Sequence, residues 1–200
     1  MTPKTRIYLI RHGEVEGAAS PRYNGQRDVA LTPRGREQYQ AMAQRLATEK
    51  ITACYASDLS RCAWGAGLIA PYFGIEPQLT SALRELNIGD WEGMTWQELM
   101  TCYPAEWQAR LHDIVNFRVP NGENLLDVQA RVIPKIRQIV AAHPDEELLI
   151  VGHGGVNRVI LLDALGAPLS SLFNMEQSYC ALNIIDYYDD GKTVVKLLNG

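Results

Sequence analysis

The 200-residue chain predicts a three-layer α/β/α fold on a mostly parallel sheet with an antiparallel edge. Two aliphatic runs carry the first part of that reading. Ile7-Tyr8-Leu9-Ile10 leads into Arg11-His12-Gly13-Glu14, and Leu148-Leu149-Ile150-Val151 leads into Gly152-His153-Gly154-Gly155. Short, unbroken apolar runs that stop at glycine read as strands of a parallel sheet buried on both faces. Strand-like and helix-period segments then alternate along the chain, as in open α/β sheets. Finally, Ala181–Tyr187 and Thr193–Leu198 flank Asp189-Asp190-Gly191, a hairpin signal that adds antiparallel strands.

Taken in order, a strand at about Arg6–Arg11 precedes a loop from Gly13 to Leu31. Thr32-Pro33 opens a helix with Thr as N-cap and Pro at its first position, burying Met42, Ala43 and Leu46. A strand at Ala53–Ala56 feeds a second helix beginning at Ser57-Asp58. Its stripe is Leu59, Cys62, Ala66, Ile69 and Phe73, and Gly74 is its stop. The segment at about 84–121 has mixed polarity and holds Trp91, Trp96 and Trp107, so it reads as loops and short helices inserted over the site within a single domain spanning 1–200. A long helix from Glu123 to Ala142 presents Leu125, Val128, Val132, Ile136, Ile139 and Val140, with Pro134 expected to bend it. The Leu148–Val151 strand and a helix from Gly155 to Leu165 lead to the hairpin.

Composition narrows the function. Apolar residues make up 46% and charged residues 21%, an ordinary globular balance, and the net charge of −4 gives no global basic field for nucleic acid. No apolar run is long enough to span a bilayer, so no membrane partner is expected. Cys54, Cys62, Cys102 and Cys180 form no C-x-x-C pair and have no zinc-finger spacing, which suits reduced thiols in a cytoplasmic protein with no bound metal.

Four segments carry chemistry. Arg11 and His12 sit at a strand end, where open α/β sheets bind ligands. A neutral imidazole beside an arginine suits attack on an anion, because the positive charge disfavours the imidazolium. Arg61, in Ser57-Asp58-Leu59-Ser60-Arg61, falls in a first helical turn that already favours anions. Glu85 precedes Gly89-Asp90-Trp91-Glu92-Gly93 and could give a proton to a leaving alkoxide. His153 and Gly154 end a strand at a helix N-terminus, where a donor can meet a phosphoryl oxygen. Each segment alone also fits an ordinary surface or core residue. His112 and His143 read as structural.

Together these segments, with Leu31-Thr32-Pro33-Arg34-Gly35 and Gly122-Glu123, resemble the histidine phosphatase superfamily, also called phosphoglycerate mutase-like, in the family's order and over nearly the whole chain. The resemblance implies metal-independent, cofactor-free phosphoryl transfer. His12 would become phosphohistidine, while Arg11, Arg61 and His153 would bind the phosphoryl oxygens. Glu85 would protonate the leaving alcohol and then activate water, and Gly13, Asn24, Gly25 and Gly154 would complete the substrate site. Many relatives carry Thr and then Asn after Arg-His-Gly-Glu, where this chain has Val15 and Ala18, so Asn24 or the Gly25 backbone is expected to replace that phosphate donor. Gly65 stands where relatives often have Thr, which is expected to weaken the helix and spare the chemistry.

The segment Arg22–Thr32 looks most like α-ribazole phosphatases, although Arg27 and Ala30 replace the usual Thr and Pro. The expected partner is therefore a small phosphorylated metabolite. A cofactor-dependent phosphoglycerate mutase and a non-catalytic phospholigand-binding module are the alternatives. The short interval from Glu85 to His153 favours hydrolysis over the mutase, and retention of His12 and Glu85 disfavours the module. The edge of the C-terminal hairpin is the surface on which a homodimer would be expected.

Overall fold

The computed structural model describes residues 4–200. Four strands run parallel: β1 (Lys4–Arg11), β2 (Ile51–Ser57), β3 (Pro77–Thr80) and β4 (Glu147–Gly152). β5 (Leu182–Tyr188) pairs antiparallel with β1, and β6 (Thr193–Leu197) pairs antiparallel with β5. The sheet order is β3-β2-β4-β1-β5-β6. Helices α1 (Pro33–Leu46) and α2 (Ser60–Ile69) cover one face; α5 (Leu125–Ala142) and α6 (Gly154–Leu165) cover the other. The inserted segment contributes two short helices, α3 (Trp96–Cys102) and α4 (Pro104–His112).

Alternation along the central strands divides the core into these layers. Tyr8, Ile10, Leu149 and Val151 pack with Tyr39, Met42 and Ile69 beneath α1 and α2. Ile7, Leu9, Leu148 and Ile150 pack with Val132, Ile136 and Val159 beneath α5 and α6. With both faces covered, these strands need apolar residues at every position, which is why they read as unbroken runs.

Helix boundaries follow local chemistry. Thr32 caps α1, its hydroxyl accepting from Gly35 N–H at 3.0 Å. Asn124 and Asp127 form a reciprocal capping box at the start of α5, which then runs through Pro134 as one helix. Two features depart from the sequence reading. β3 has only four residues and begins with proline, so it gives no alternation and lies where proline is tolerated, at the sheet edge. α2 starts at Ser60 rather than Ser57, because β2 extends through Ser57 and Asp58 forms a bidentate pair with Arg84 at 2.7 and 2.6 Å. The cap comes from a distant loop: Asp28 Oδ1 accepts from Ser60 N–H at 2.9 Å. Pro71 then limits α2 to Ile69; a short 3-10 turn carries the chain to Gly74, whose φ of +69° ends it.

Gly65 has a packing reason. A Cβ there would overlap the ring of fully buried Tyr39, whose hydroxyl donates to the Arg61 carbonyl at 2.9 Å. The missing side chain therefore makes room for the residue that fixes the start of α2. Replacing Gly65 with Ala regains about 1 kcal/mol of helix propensity but overpacks the core, which costs about 1–3 kcal/mol. Urea unfolding should show Gly65→Ala to be destabilised and Gly65→Thr more so. A variant as stable as the parent would contradict this account.

Candidate active site

Parallel pairing of β1 with β4 sets Arg11 opposite Gly152, so His12 and His153 leave the sheet side by side. Their rings lie 5.3 Å apart, edge to face at 62°. The His12 backbone is held on both sides, donating to Gly152 O at 2.9 Å and accepting from Cys180 N–H at 3.1 Å. Its Nδ1 lies 2.8 Å from Gly13 O. A carbonyl can only accept, so Nδ1 carries the proton and Nε2 keeps its lone pair. Burial, then the Arg11 and Arg61 charges, hold the His12 pKa well below the ordinary histidine value.

His153 is fully buried and also held well below the ordinary value, first by burial and then by Arg61, His12 and Arg11. Its Nε2 lies 2.8 Å from Ser57 Oγ, and Cys62 Sγ approaches the same nitrogen at 3.4 Å. Ser57 and Cys62 thus set the ring orientation, a role that no local motif announced.

A cavity of about 220 Å³ opens beside His12, and its wall includes Arg11, Asn24, Gly25, Arg61, Glu85 and Gly154. Two expected ligand contacts lie off this wall. Gly13 is turned against α1, where a Cβ would meet the Gly35 carbonyl; its φ is not positive, so it is needed for close approach rather than for a left-handed turn. Its carbonyl serves His12 instead. His153 sits beneath His12 with no exposed surface.

Arg11 rests on the Tyr179 ring, with Cζ 4.2 Å from the centroid, and donates from a terminal nitrogen to Gln177 O. Its Nε is buried with no partner among the described residues, a donor left for an incoming acceptor. Arg61 is 2% exposed and anchored by Arg27 O and Gly25 O, each at 2.7 Å. Gly154 and Gly155 leave room for their neighbours: a Cβ would lie 3.3 Å from Arg11 Nε at the first and against the Glu85 carboxylate at the second.

The Glu85 carboxylate accepts from Gly155 N–H at 2.9 Å and Leu86 N–H at 2.8 Å. Glu123 holds this loop, accepting from Asn87 N–H at 2.9 Å and from Arg131 at 2.7 and 3.0 Å, while Arg131 also donates to Glu85 O. Glu92 likewise fastens the Asn24-Gly25 loop through Gln26 N–H at 2.8 Å. The sequence reading missed Arg22, Tyr23, Trp96, Arg110, Arg158 and Tyr179, which also line the cavity and come from four separated segments. His143 is structural, bonded to Tyr55 and Glu146. No three His, Cys, Asp or Glu side chains converge as a metal site among the described residues.

The sequence profile of the histidine phosphatase superfamily (branch 1) matches residues 7–200. The "Probable phosphoglycerate mutase GpmB" of Erwinia tasmaniensis is 32% identical over 91% of this chain and 85% of its own length. A glucosyl-3-phosphoglycerate phosphatase of Mycolicibacterium vanbaalenii is 33% identical over 83% of this chain and 76% of its own. The crystal structure of an alpha-ribazole phosphatase from Shigella flexneri superposes with a TM-score of 0.89 at 26% identity, covering 98% of this chain and 96% of that one.

The two lowered histidines make stability depend on pH. Below about pH 6.5 the unfolded chain takes up protons that the buried imidazoles refuse. Their contribution is therefore complete above that value and declines as pH falls, by up to about 1.4 kcal/mol per pH unit per group. In phosphate-free buffer, urea unfolding from pH 7 to pH 5 should show falling stability, with a shallower decline for His12→Gln. An unchanged decline in that variant would refute the neutral assignment of His12.

Proposed function

The chain belongs to the histidine phosphatase superfamily, and from that premise we propose that it is a metal-independent phosphomonoesterase acting on a small phosphorylated metabolite through a phosphohistidine at His12. One observation carries the reading: His12 Nδ1 is pinned to Gly13 O, leaving a buried, neutral Nε2 lone pair beside the unpartnered Nε of Arg11. Nε2 attacks phosphorus and the ester P–O bond breaks. Glu85, as the acid, gives its proton to the leaving alkoxide. Its carboxylate then takes a proton from water, the water oxygen attacks phosphorus, and the N–P bond breaks to return free His12 and phosphate.

Arg11 and Arg61 hold the equatorial oxygens as charge redistributes, so positioning and fixed positive charge supply the rate enhancement. Asn24, on the cavity wall with its side-chain amide uncommitted among the described residues, takes the place of the donor missing at Ala18. His153, buried against the His12 ring and bonded to Ser57, supports the nucleophile's ring from below rather than meeting the phosphoryl group. The longest helix of the inserted segment is the nine-residue α4, and this small cover supports hydrolysis over phosphoryl return to a second substrate.

α-Ribazole 5′-phosphate is the substrate candidate suggested by the Arg22–Thr32 likeness and by the similar Shigella enzyme. Tyr23, Trp96 and Phe173 offer flat apolar faces for its ring system. A phosphorylated carboxylate is the second reading, supported by two relatives whose names include phosphoglycerate and by the arginine-rich wall. The described residues hold no helix long and apolar enough to cross a membrane, in keeping with a proposed cytoplasmic setting.

His12→Ala should lower kcat/KM by about 10³-fold or more and abolish acid-labile phosphoenzyme in rapid quench. Glu85→Gln should cost about 10²- to 10⁴-fold on alkyl phosphates and far less on p-nitrophenyl phosphate, whose leaving group needs no proton. Excess EDTA should leave the rates unchanged. Phosphoenzyme persisting in His12→Ala, or a rate that collapses in EDTA, would overturn the mechanism.

A further inference from the structure

The cavity wall carries more positive charge than a phosphate monoester can use. Arg11, Arg22, Arg61, Arg110 and Arg158 all line it, against a single carboxylate, Glu85. A bound phosphate monoester brings a charge of about −2, and Arg11 and Arg61 already stand beside the nucleophile. This excess is local, since the whole chain has a net charge of −4.

Arg110 is the member that needs explaining. It comes from α4, and only 3% of its surface is exposed. Its guanidinium lies 5.2 Å from the centroid of the Tyr23 ring, and its Nε donates to Tyr23 Oη at 3.2 Å. Among the described residues no carboxylate pairs with it. The two terminal nitrogens have no protein acceptor among the described residues, and Arg110 forms part of the cavity wall. Burying a guanidinium without a counter-charge is costly. Tyr23, packed against Trp91, Trp96 and Trp107, holds it in one orientation. The result is a fixed, planar pair of donors of the kind that takes a carboxylate or phosphate end-on.

We propose that Arg110 and Tyr23 form a second subsite that selects phosphate monoesters bearing another anionic group, a carboxylate or a second phosphate, apart from the reacting phosphorus. The proposal rests on the phosphomonoesterase reading and favours its second substrate class, a phosphorylated carboxylate, over α-ribazole 5′-phosphate, whose remainder carries no anionic group.

The test compares matched esters: 3-phosphoglycerate against glycerol 3-phosphate, and 1,3-propanediol bisphosphate against its monophosphate, with p-nitrophenyl phosphate as reference. The two pairs separate a carboxylate from a phosphate as the second anion. At least one ester with a second anionic group should exceed its counterpart without one in kcat/KM. Arg110→Met should lose about 10- to 100-fold on that ester, mainly through KM, and stay within about threefold on the esters whose remainder is uncharged. Arg110→Lys should recover part of the loss. Unliganded Arg110→Met should melt no lower than the parent, because a buried charge without a partner has been removed.

Hydrolysis of p-nitrophenyl phosphate without discrimination within either pair would overturn the subsite and leave the phosphatase intact. An equal loss on every ester, with a lowered melting point, would make Arg110 structural and also overturn it. If no ester is turned over, thermal shift decides: an ester with a second anionic group must stabilise the parent more than its counterpart without one, and Arg110→Met must erase the difference. Equal shifts would refute the proposal.

Discussion

The pairing of β1 with β4 is the constraint on which the site depends. Because Arg11 lies opposite Gly152, the two strands end together and deliver both histidines to one crevice. A one-residue slip would turn His12 to the opposite face and exchange the residues packed under α1 and α2 with those under α5 and α6. The register is fixed twice, by these two apolar layers and by the antiparallel partner β5, whose approach leaves Cys180 N–H on the His12 carbonyl. The nucleophile's backbone thereby belongs to the sheet ladder, and only its ring faces the cavity.

Electrostatics complete what the ladder begins. Arg11 and Arg61 stand close to His12 without carboxylate partners of their own among the described residues. Carbonyl groups and the Tyr179 ring hold these guanidiniums in place and leave their charge available. Had Asp or Glu held them, the ion pairs would have weakened the field that, after burial, keeps the imidazole neutral and that draws the phosphoryl group. Fixing arginines by backbone oxygens is therefore a chemical requirement of the site as well as a packing solution.

That choice also explains what the sequence could and could not reveal. The aliphatic runs, Thr32 cap and hairpin showed plainly because each is a local pattern of the residues that form it. His12, Arg11, Arg61 and Glu85 stand at strand ends, a helix start and a loop tethered to a helix start, where position already carries meaning, and all four reach the cavity. β3 was invisible because four residues at an edge have no period to detect. The start of α2 was misplaced because its cap, Asp28, lies 32 residues away. Gly65 looked like a weakness because its reason is the ring of Tyr39, on another helix. Arg27 occupies a position usually held by Thr in the ribazole-type loop, yet its contribution to Arg61 is a backbone carbonyl that a different side chain would also present.

The same contrast separates chemistry from selectivity. The groups around the reacting phosphorus are seated on strand ends and helix starts. The outer wall, including Tyr23, Trp96 and Arg110, comes from the loop after β1 and from the inserted segment. Those two segments hold each other: Gly93 N–H donates to Tyr23 O at 2.6 Å, Trp96 N–H to Pro21 O at 3.0 Å, and Glu92 takes Gln26 N–H. They meet the catalytic floor through the loop carbonyls on Arg61, the Asp28 cap on Ser60 N–H, the Asp58–Arg84 ion pair and the Glu123–Arg131 brace behind Glu85. Side chains on that outer unit that make none of these ties, such as Trp96 and Arg110, can change without moving His12 or its arginines. One floor can then serve walls of different charge, which is why a shared set of catalytic motifs leaves the substrate to be read from residues such as Arg110.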